Sequence, residues 1–100
     1  MGKVKLGTNY YIDSIGQNSW RYQRRNYVTK DEFTLEPIKI TMVLDDGSWI
    51  DRDGVCSVDI SGAMPPYQVN ICYMEASFAE FEGVVEYRMT AGKGEELIFE

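Results

Sequence analysis

The chain has 100 residues, a formal net charge of −6 at pH 7, no histidine and two cysteines. A chain of this length forms one domain, and no uninterrupted apolar run approaches the ~18 residues of a membrane span. Histidine-based triads and zinc sites are excluded because there is no imidazole, and we expect a protein that is not an enzyme and needs no cofactor. The sequence has no secretory signal pattern, so we expect synthesis in the cytoplasm.

The charge is divided unevenly along the chain. Residues 1–30 carry six basic and one acidic side chain, a net +5, whereas residues 31–100 carry four basic and fifteen acidic ones, a net −11. Segments of opposite sign attract each other within one chain or between copies of it. We therefore expect a basic, partly extended N-terminal arm over residues 1–30 and an acidic β-sandwich domain over residues 31–100.

The arm has sparse apolar residues separated by glycine and asparagine, a pattern that predicts one or two short strands. Near its end, aromatic and guanidinium side chains interleave. They could stack on single-stranded nucleic acid, lie on a plain edge strand or form a protein interface. The acidic remainder of the chain repels nucleic acid, so we favour an interface with protein. The candidate interface residues are Trp20, Arg21, Tyr22, Arg24, Arg25 and Tyr27.

The next elements are strands. Apolar and polar residues alternate over Ile38–Leu44, which predicts a strand with one buried face. The Asp-Asp-Gly turn signal at residues 45–47 and the apolar pair at 49–50 predict a β-hairpin. A second turn is predicted at residues 51–54, followed by a strand over residues 56–60.

The last forty residues continue this pattern. The Pro65-Pro66 pair breaks the strand ladder, and alternation over Tyr67–Tyr73 predicts a further strand. Residues 74–81 fit a short helix or an extended run, and we favour strand or loop, ended by Gly83. Late strands are predicted at residues 85–89 and 97–99. The fold class is therefore all-β, as a small immunoglobulin-like β-sandwich or a barrel.

Two groups of side chains have alternative interpretations. Cys56 and Cys72 are expected to be reduced core thiols, although a disulfide is open if their strands pair in register in an oxidising environment. Four carboxylates within residues 45–54 could hold Ca²⁺, but the twelve-residue calcium-loop pattern is absent, and two hairpin turns explain them better. We expect no metal site.

Three aromatic residues raise the alternative of a carbohydrate-binding protein. A sugar-binding module could rest on Trp49, Tyr67 and Tyr73, but no convergent polar set accompanies them, so we interpret them as core residues.

The segment from Phe33 to Ile60 resembles the first half of the immunoglobulin-like domains of phage tail and baseplate proteins. The resemblance is carried by the strand Ile38–Leu44, the turn at 45–47, Trp49-Ile50-Asp51 and Gly54 before the next strand. It covers about a quarter of the chain. The resemblance implies a structural role in a virion and supplies no site residues.

We expect a structural protein of a symmetric assembly, specifically a phage capsid decoration protein or a tail or baseplate component. In this hypothesis the aromatics of the arm anchor it while its arginines pair with carboxylates of an adjacent subunit. The partners are other copies or other virion proteins, with no small-molecule substrate, no nucleic acid and no membrane. The alternative is a small acidic inhibitor whose acidic body occupies the groove of a basic nucleic-acid-binding host protein. Its acid run comprises Glu75, Glu80, Glu82 and Glu86, with Glu95, Glu96 and Glu100 further on. Such a run is more often a solvated face that keeps a small protein soluble.

Overall fold

Alternating apolar residues and glycine-containing turns produce an antiparallel β structure. The computed structural model describes the backbone of residues 7–91 and the side chains of residues 11–91. Every regular element in the described range is a β-strand, which confirms the all-β prediction. The strands are β1 (Gly7–Gly16), β2 (Ser19–Tyr27), β3 (Phe33–Glu36), β4 (Ile38–Leu44), β5 (Trp49–Ser61), β6 (Tyr67–Tyr73) and β7 (Phe78–Ala91).

Four of these strands close into a ring. β4 pairs with β5 and β7, and β6 pairs with β7 and β5, so the path β5-β4-β7-β6 returns to its start. β5 pairs with β4 before Val55 and with β6 after it. A bent strand that changes partner midway turns the corner between two layers of sheet.

Glycine-centred irregularities produce these bends. Gly54 has a φ of +65° and Gly83 a φ of +69°, values that a residue without Cβ adopts at little cost. The register shifts beside both positions, which is the signature of a β-bulge. The predicted turn at residues 51–54 is therefore wrong, because β5 continues through it. β7 likewise continues through Gly83.

The core lies inside the ring. The inward residues of β4 are Ile38, Ile40 and Met42, all fully buried, and they alternate with outward Lys39 and Thr41 as the sequence predicted. The predicted strand Tyr67–Tyr73 is also confirmed, with Val69 and Ile71 buried. Burying one such aliphatic side chain contributes about 1.5–3 kcal/mol, so these alternating positions hold the ring together.

The N-terminal residues form a hairpin that joins the ring through its second strand. β1 pairs with β2 along its length, from Gly7 opposite Tyr27 to Gly16 opposite Ser19. β2 pairs with β5 in its first half and with β3 in its second half. The strands have ten and nine residues, so they are longer than predicted. Residues 19–27 of the predicted arm therefore belong to the sheet.

Two predictions concern the C-terminal part. Residues 74–77 form a turn and β7 begins at Phe78, which confirms the preference for loop or strand over helix. The predicted strand at residues 97–99 lies outside the described residues. Within the described range, no helix is long and apolar enough to cross a membrane.

Candidate functional site

All six predicted interface residues lie on β2 and alternate between its two faces. Trp20 and Tyr22 stand opposite Ile60 and Val58 of β5, on the face that continues the core. Arg21 and Arg25 lie on the opposite, outward face, because successive side chains of a strand alternate. The strand thus places Trp20, Tyr22 and Arg24 on one face, and Arg21, Arg25 and Tyr27 on the other.

Arg21 is paired within its own chain. Its Nε donates to Oδ1 of Asp59 at 2.8 Å and its Nη2 donates to Oδ2 at 2.9 Å, a bidentate pair. This hydrogen bonding raises the pKa of Arg21. Asp13 of β1 stands opposite Arg21 on the other side. The carboxylates that the sequence assigned to a neighbouring subunit are, for this arginine, present in the same subunit.

Arg25 lies between two aromatic rings. Its guanidinium carbon is 3.5 Å from the ring centre of Tyr11 and 4.0 Å from that of Phe33. Its Nε donates to Gln23 at 2.9 Å and its Nη1 donates to the hydroxyl of Tyr27 at 3.2 Å. The guanidinium of Arg25 stacks on rings from β1 and β3 and donates hydrogen bonds in its own plane to residues of β2. It therefore holds these three strands together.

The remaining residues of the set divide into buried and exposed. Arg24 approaches Glu36 of β3, with 3.9 Å between Nη1 and Oε1. Tyr22 packs against the core, and Tyr27 is only 9% exposed. Trp20 is 44% exposed. Of the three aromatic anchors predicted from sequence, only Trp20 presents a large surface to solvent.

Trp20 belongs to an apolar surface that sequence reasoning did not assemble. Ile12 is opposite Tyr22 on β1, and therefore lies diagonal to Trp20 on the same face. Ile15 follows at the register shift near the hairpin turn, and both isoleucines are exposed. We call Ile12, Ile15 and Trp20 the hairpin patch. The β1–β2 register places Ile12 and Trp20 on one face, and Ile15 is nearby in the chain, at the register shift before the hairpin turn.

The hairpin patch lies next to an open strand edge. Among the described residues, β1 pairs with β2 alone, so its other side has no strand partner in that part of the chain. A strand edge presents a row of backbone donors and acceptors that can pair with another chain.

A second surface lies on the outer face of β5, β4 and β7. Trp49 is 71% exposed, which contradicts its interpretation as a core residue. It borders a groove of about 680 Å³ that includes Thr41, Asp51, Glu86 and Arg88. Tyr67 and Tyr73 are half-buried and both pack against the core, and Tyr67 also lines the groove. The sequence signal for Trp49 was its position directly after a turn.

The carboxylates of the acidic segment after β4 accept hydrogen bonds from residues of the same hairpin or of the adjoining bulge. Asp46 accepts hydrogen bonds from the hydroxyl and the amide of Ser48, and these bonds lower the pKa of Asp46. Asp51 accepts from Thr41, and Asp53 accepts from the amide of Gly54. The residues that the structure describes contain no group of three or more potential ligands arranged to hold a metal ion.

The two cysteines are close neighbours across β5 and β6. Cys56 occupies the bulge in β5, opposite the step from Cys72 to Tyr73. Their Sγ atoms lie 3.7 and 3.8 Å from the same carbonyl oxygen, that of Tyr73. Both are free and half-buried, so neither belongs to the buried core as predicted. Burial, followed by the adjacent Cys72 thiol, raises the pKa of Cys56.

Comparisons with known proteins return no match: no family model, no curated protein and no solved structure is significantly similar to this chain. The resemblance to immunoglobulin-like domains of phage tail proteins therefore stays a prediction.

Proposed function

We propose that the chain is a non-enzymatic structural protein of a symmetric assembly, and that its contacts with other subunits are made by the β1–β2 hairpin. The setting we propose is a phage particle, in which the chain is a capsid decoration protein or a tail or baseplate component after synthesis in the cytoplasm. The phage setting depends on the sequence resemblance alone. The proposed contact between subunits is argued from the exposed residues and the open strand edge of the β1–β2 hairpin.

The observation that carries the proposal is the hairpin patch beside an open strand edge. Exposed apolar residues that cluster on a projecting element are typical of protein contact surfaces, and tryptophan is a frequent hot-spot residue. Backbone pairing along an open edge adds affinity, while side chains beside the edge add specificity. Both elements occur together on β1 and β2.

The arginines have a different part in this proposal from the one predicted by sequence. Arg21 and Arg25 are held by Asp59 and by the Tyr11 and Phe33 rings of the same chain. The Arg21–Asp59 pair fixes the hairpin on β5 of the ring, and the Arg25 contacts hold β1 and β3 against β2, so the strand that carries Trp20 is held in one orientation. A preorganised contact surface loses less conformational entropy on binding than a mobile arm does.

Sedimentation velocity over a concentration series tests this proposal. We expect wild-type protein to form oligomers and Trp20→Ala to weaken association at least tenfold, which corresponds to about 1.4 kcal/mol. The matched control is Phe78→Ala, because Phe78 is also a highly exposed aromatic but lies on the outward face of β7. Far-ultraviolet circular dichroism checks that both variants retain the fold.

Point substitution is preferable to removal of residues 1–30. Tyr27 is buried, and residues 19–22 pair with β5, so the deletion would leave Val58 and Ile60 with a strand partner on the β6 side only. Wild-type protein that remains monomeric at every concentration would contradict the proposal, as would equal association of Trp20→Ala and Phe78→Ala. A monomer that instead captures a basic nucleic-acid-binding protein would support the acidic-inhibitor alternative.

A further inference from the structure

We propose that the groove beside Trp49 is a binding site for a neutral saccharide, whose ring stacks on the indole of Trp49. The site is separate from the hairpin patch and does not depend on the proposed assembly. It is lined by residues of all four strands of the ring, so its geometry is set by the strands that enclose the core.

The position of Trp49 is the first argument. Outward residues of β4 are neighbours of outward residues of β5 and β7, and Trp49 stands opposite Val43, which stands opposite Glu86. A single exposed apolar residue on a protein surface is ordinary. Here the indole borders a concave groove of about 680 Å³, a size within the roughly 300–1,000 Å³ that small-molecule sites occupy.

The polar groups beside the indole are the second argument. In the adjacent cross-strand row, Asp51, Thr41 and Arg88 stand side by side on β5, β4 and β7. The Thr41 hydroxyl donates to Oδ1 of Asp51 at 2.7 Å, which fixes the orientation of that carboxylate. An ionised carboxylate accepts about four hydrogen bonds, so Asp51 retains capacity to accept from a ligand hydroxyl.

The charge of the groove selects the chemical class of the ligand. Two acidic side chains, Asp51 and Glu86, are matched by two basic ones, Lys39 and Arg88, among the lining residues. A phosphate or nucleic acid would be favoured by an excess of positive charge, and the groove has none. Charged and hydroxyl side chains beside one exposed indole fit a ligand that has many hydroxyls and one C–H face. A neutral saccharide ring has both properties.

The exposure of Trp49 also favours a saccharide over a purely apolar ligand. Trp49 remains exposed at its edge, so a bound molecule would keep part of its surface in water. Apolar small molecules bind in sites that enclose most of their surface. A hydroxylated ligand can leave its outer face hydrated without this loss.

Tryptophan fluorescence of the full chain provides a direct assay. The sequence contains two tryptophans, Trp20 and Trp49, so in a Trp20→Phe variant the emission comes from Trp49 alone. We would titrate this variant with neutral oligomers of glucose, galactose, mannose and N-acetylglucosamine. At least one series is expected to shift the emission with a saturable, sub-millimolar to millimolar dependence.

The variants for the binding assay are Trp49→Ala and Asp51→Asn, measured by calorimetry with the same oligosaccharide. Trp49→Ala is expected to reduce affinity at least tenfold, and Asp51→Asn to reduce it severalfold because the acceptor becomes neutral. Phe78→Ala is the matched control, since it removes an equally exposed aromatic from another surface and is expected to bind normally. Trp49 is exposed, so its truncation leaves the buried core intact.

Three results would overturn the proposal. The first is no saturable change with any neutral oligosaccharide at 10 mM, which is about the weakest affinity that such an assay resolves. The second is equal affinity of Trp49→Ala and Phe78→Ala. The third is a preference for sialylated or sulfated saccharides over all neutral ones, which would contradict the ligand class derived from the balanced charge.

Discussion

The ring of β4, β5, β6 and β7 and the β1–β2 hairpin are stabilised in different ways. Among residues 11–91, the fully buried aliphatic side chains come from the ring, for example Ile40, Val58 and Val84. Within residues 11–27 of the hairpin, Tyr27 alone is buried. The hairpin is held instead by the Arg21–Asp59 pair, the stacked Arg25 and two short stretches of backbone pairing.

The difference shows that, in one small domain, the residues that stabilise the fold can be separate from the residues that orient a surface element. Each buried aliphatic residue contributes about 1.5–3 kcal/mol without a preferred direction. An exposed ion pair contributes about 0–1 kcal/mol, and a cation–π contact about 0.5–2 kcal/mol, but both fix direction. The ring therefore supplies most of the free energy of folding, and the hairpin is the region expected to open locally.

Substitution of isoleucine by alanine in each region gives the largest expected effect. Ile40 is fully buried, so Ile40→Ala removes its transfer free energy and leaves a cavity. We expect it to lower the free energy of unfolding by about 2–5 kcal/mol, measured by urea denaturation. Ile12→Ala is the matched control, because Ile12 is 38% exposed on the hairpin and is expected to cost less than about 1 kcal/mol. Equal losses in the two variants would contradict the comparison.

The stacked arginine gives a smaller effect that is confined to the hairpin. Arg25→Lys keeps the charge but loses the planar stacking on Tyr11 and Phe33 and the donor to Gln23. We expect a loss of about 1 kcal/mol in the stability of the hairpin. Amide hydrogen exchange should show faster exchange in β1 and the end of β2, with unchanged protection in β4.

The control for this experiment is a second arginine over an aromatic ring. The guanidinium carbon of Arg52 on β5 lies 5.4 Å from the centre of the Phe81 side chain on β7, so this contact does not involve the hairpin. Arg52→Lys is expected to leave exchange in β1 unchanged. If Arg25→Lys also leaves β1 protected, the hairpin is held by backbone pairing rather than by its side chains.

Strand positions were predictable where one face is buried. Apolar residues recur at every second position in Ile38–Leu44 and Tyr67–Tyr73, and the structure has both strands with those bounds. Gly54 and Gly83 misled the prediction because a glycine at positive φ suits both a turn and a β-bulge. Whether a turn or a β-bulge forms depends on the strands that pair on either side, and the local sequence does not contain that information.

The candidate sites depended on register even more strongly. The aromatic and basic residues of β2 were identifiable by type, but the partner of Arg21 is Asp59, which only the β2–β5 pairing brings opposite. Ile12 joins Trp20 through the β1–β2 register. Trp49 was interpreted as core because the sequence shows no convergent polar set around it, whereas the strand register places Asp51, Thr41 and Arg88 in the adjacent cross-strand row.

The smallest expected effect is a pH dependence at the contact between the two regions. Tyr87 of β7 has a raised pKa, chiefly because of burial and then because of its hydrogen bond with Tyr22 of the hairpin strand β2. In the unfolded chain a tyrosine loses its proton near pH ~10, whereas folded Tyr87 keeps it to higher pH. Above pH ~10 the unfolded state therefore binds fewer protons than the folded state, and the free energy of unfolding falls as pH rises. The stabilisation that comes from the raised pKa of Tyr87 is therefore fully present below pH ~10 and is lost as the pH rises further.

Urea denaturation between pH 9 and 11.5 measures this dependence in wild type, Tyr87→Phe and the control Tyr73→Phe. Tyr87→Phe lacks the titrating group, so its stability is expected to fall less steeply with pH than that of the other two proteins. Tyr73 also packs against the core but on β6, so its removal tests whether any core tyrosine gives the same result. Parallel slopes in all three proteins would show that Tyr87 is not protected from ionisation and that the Tyr22 contact does not couple the hairpin to the ring.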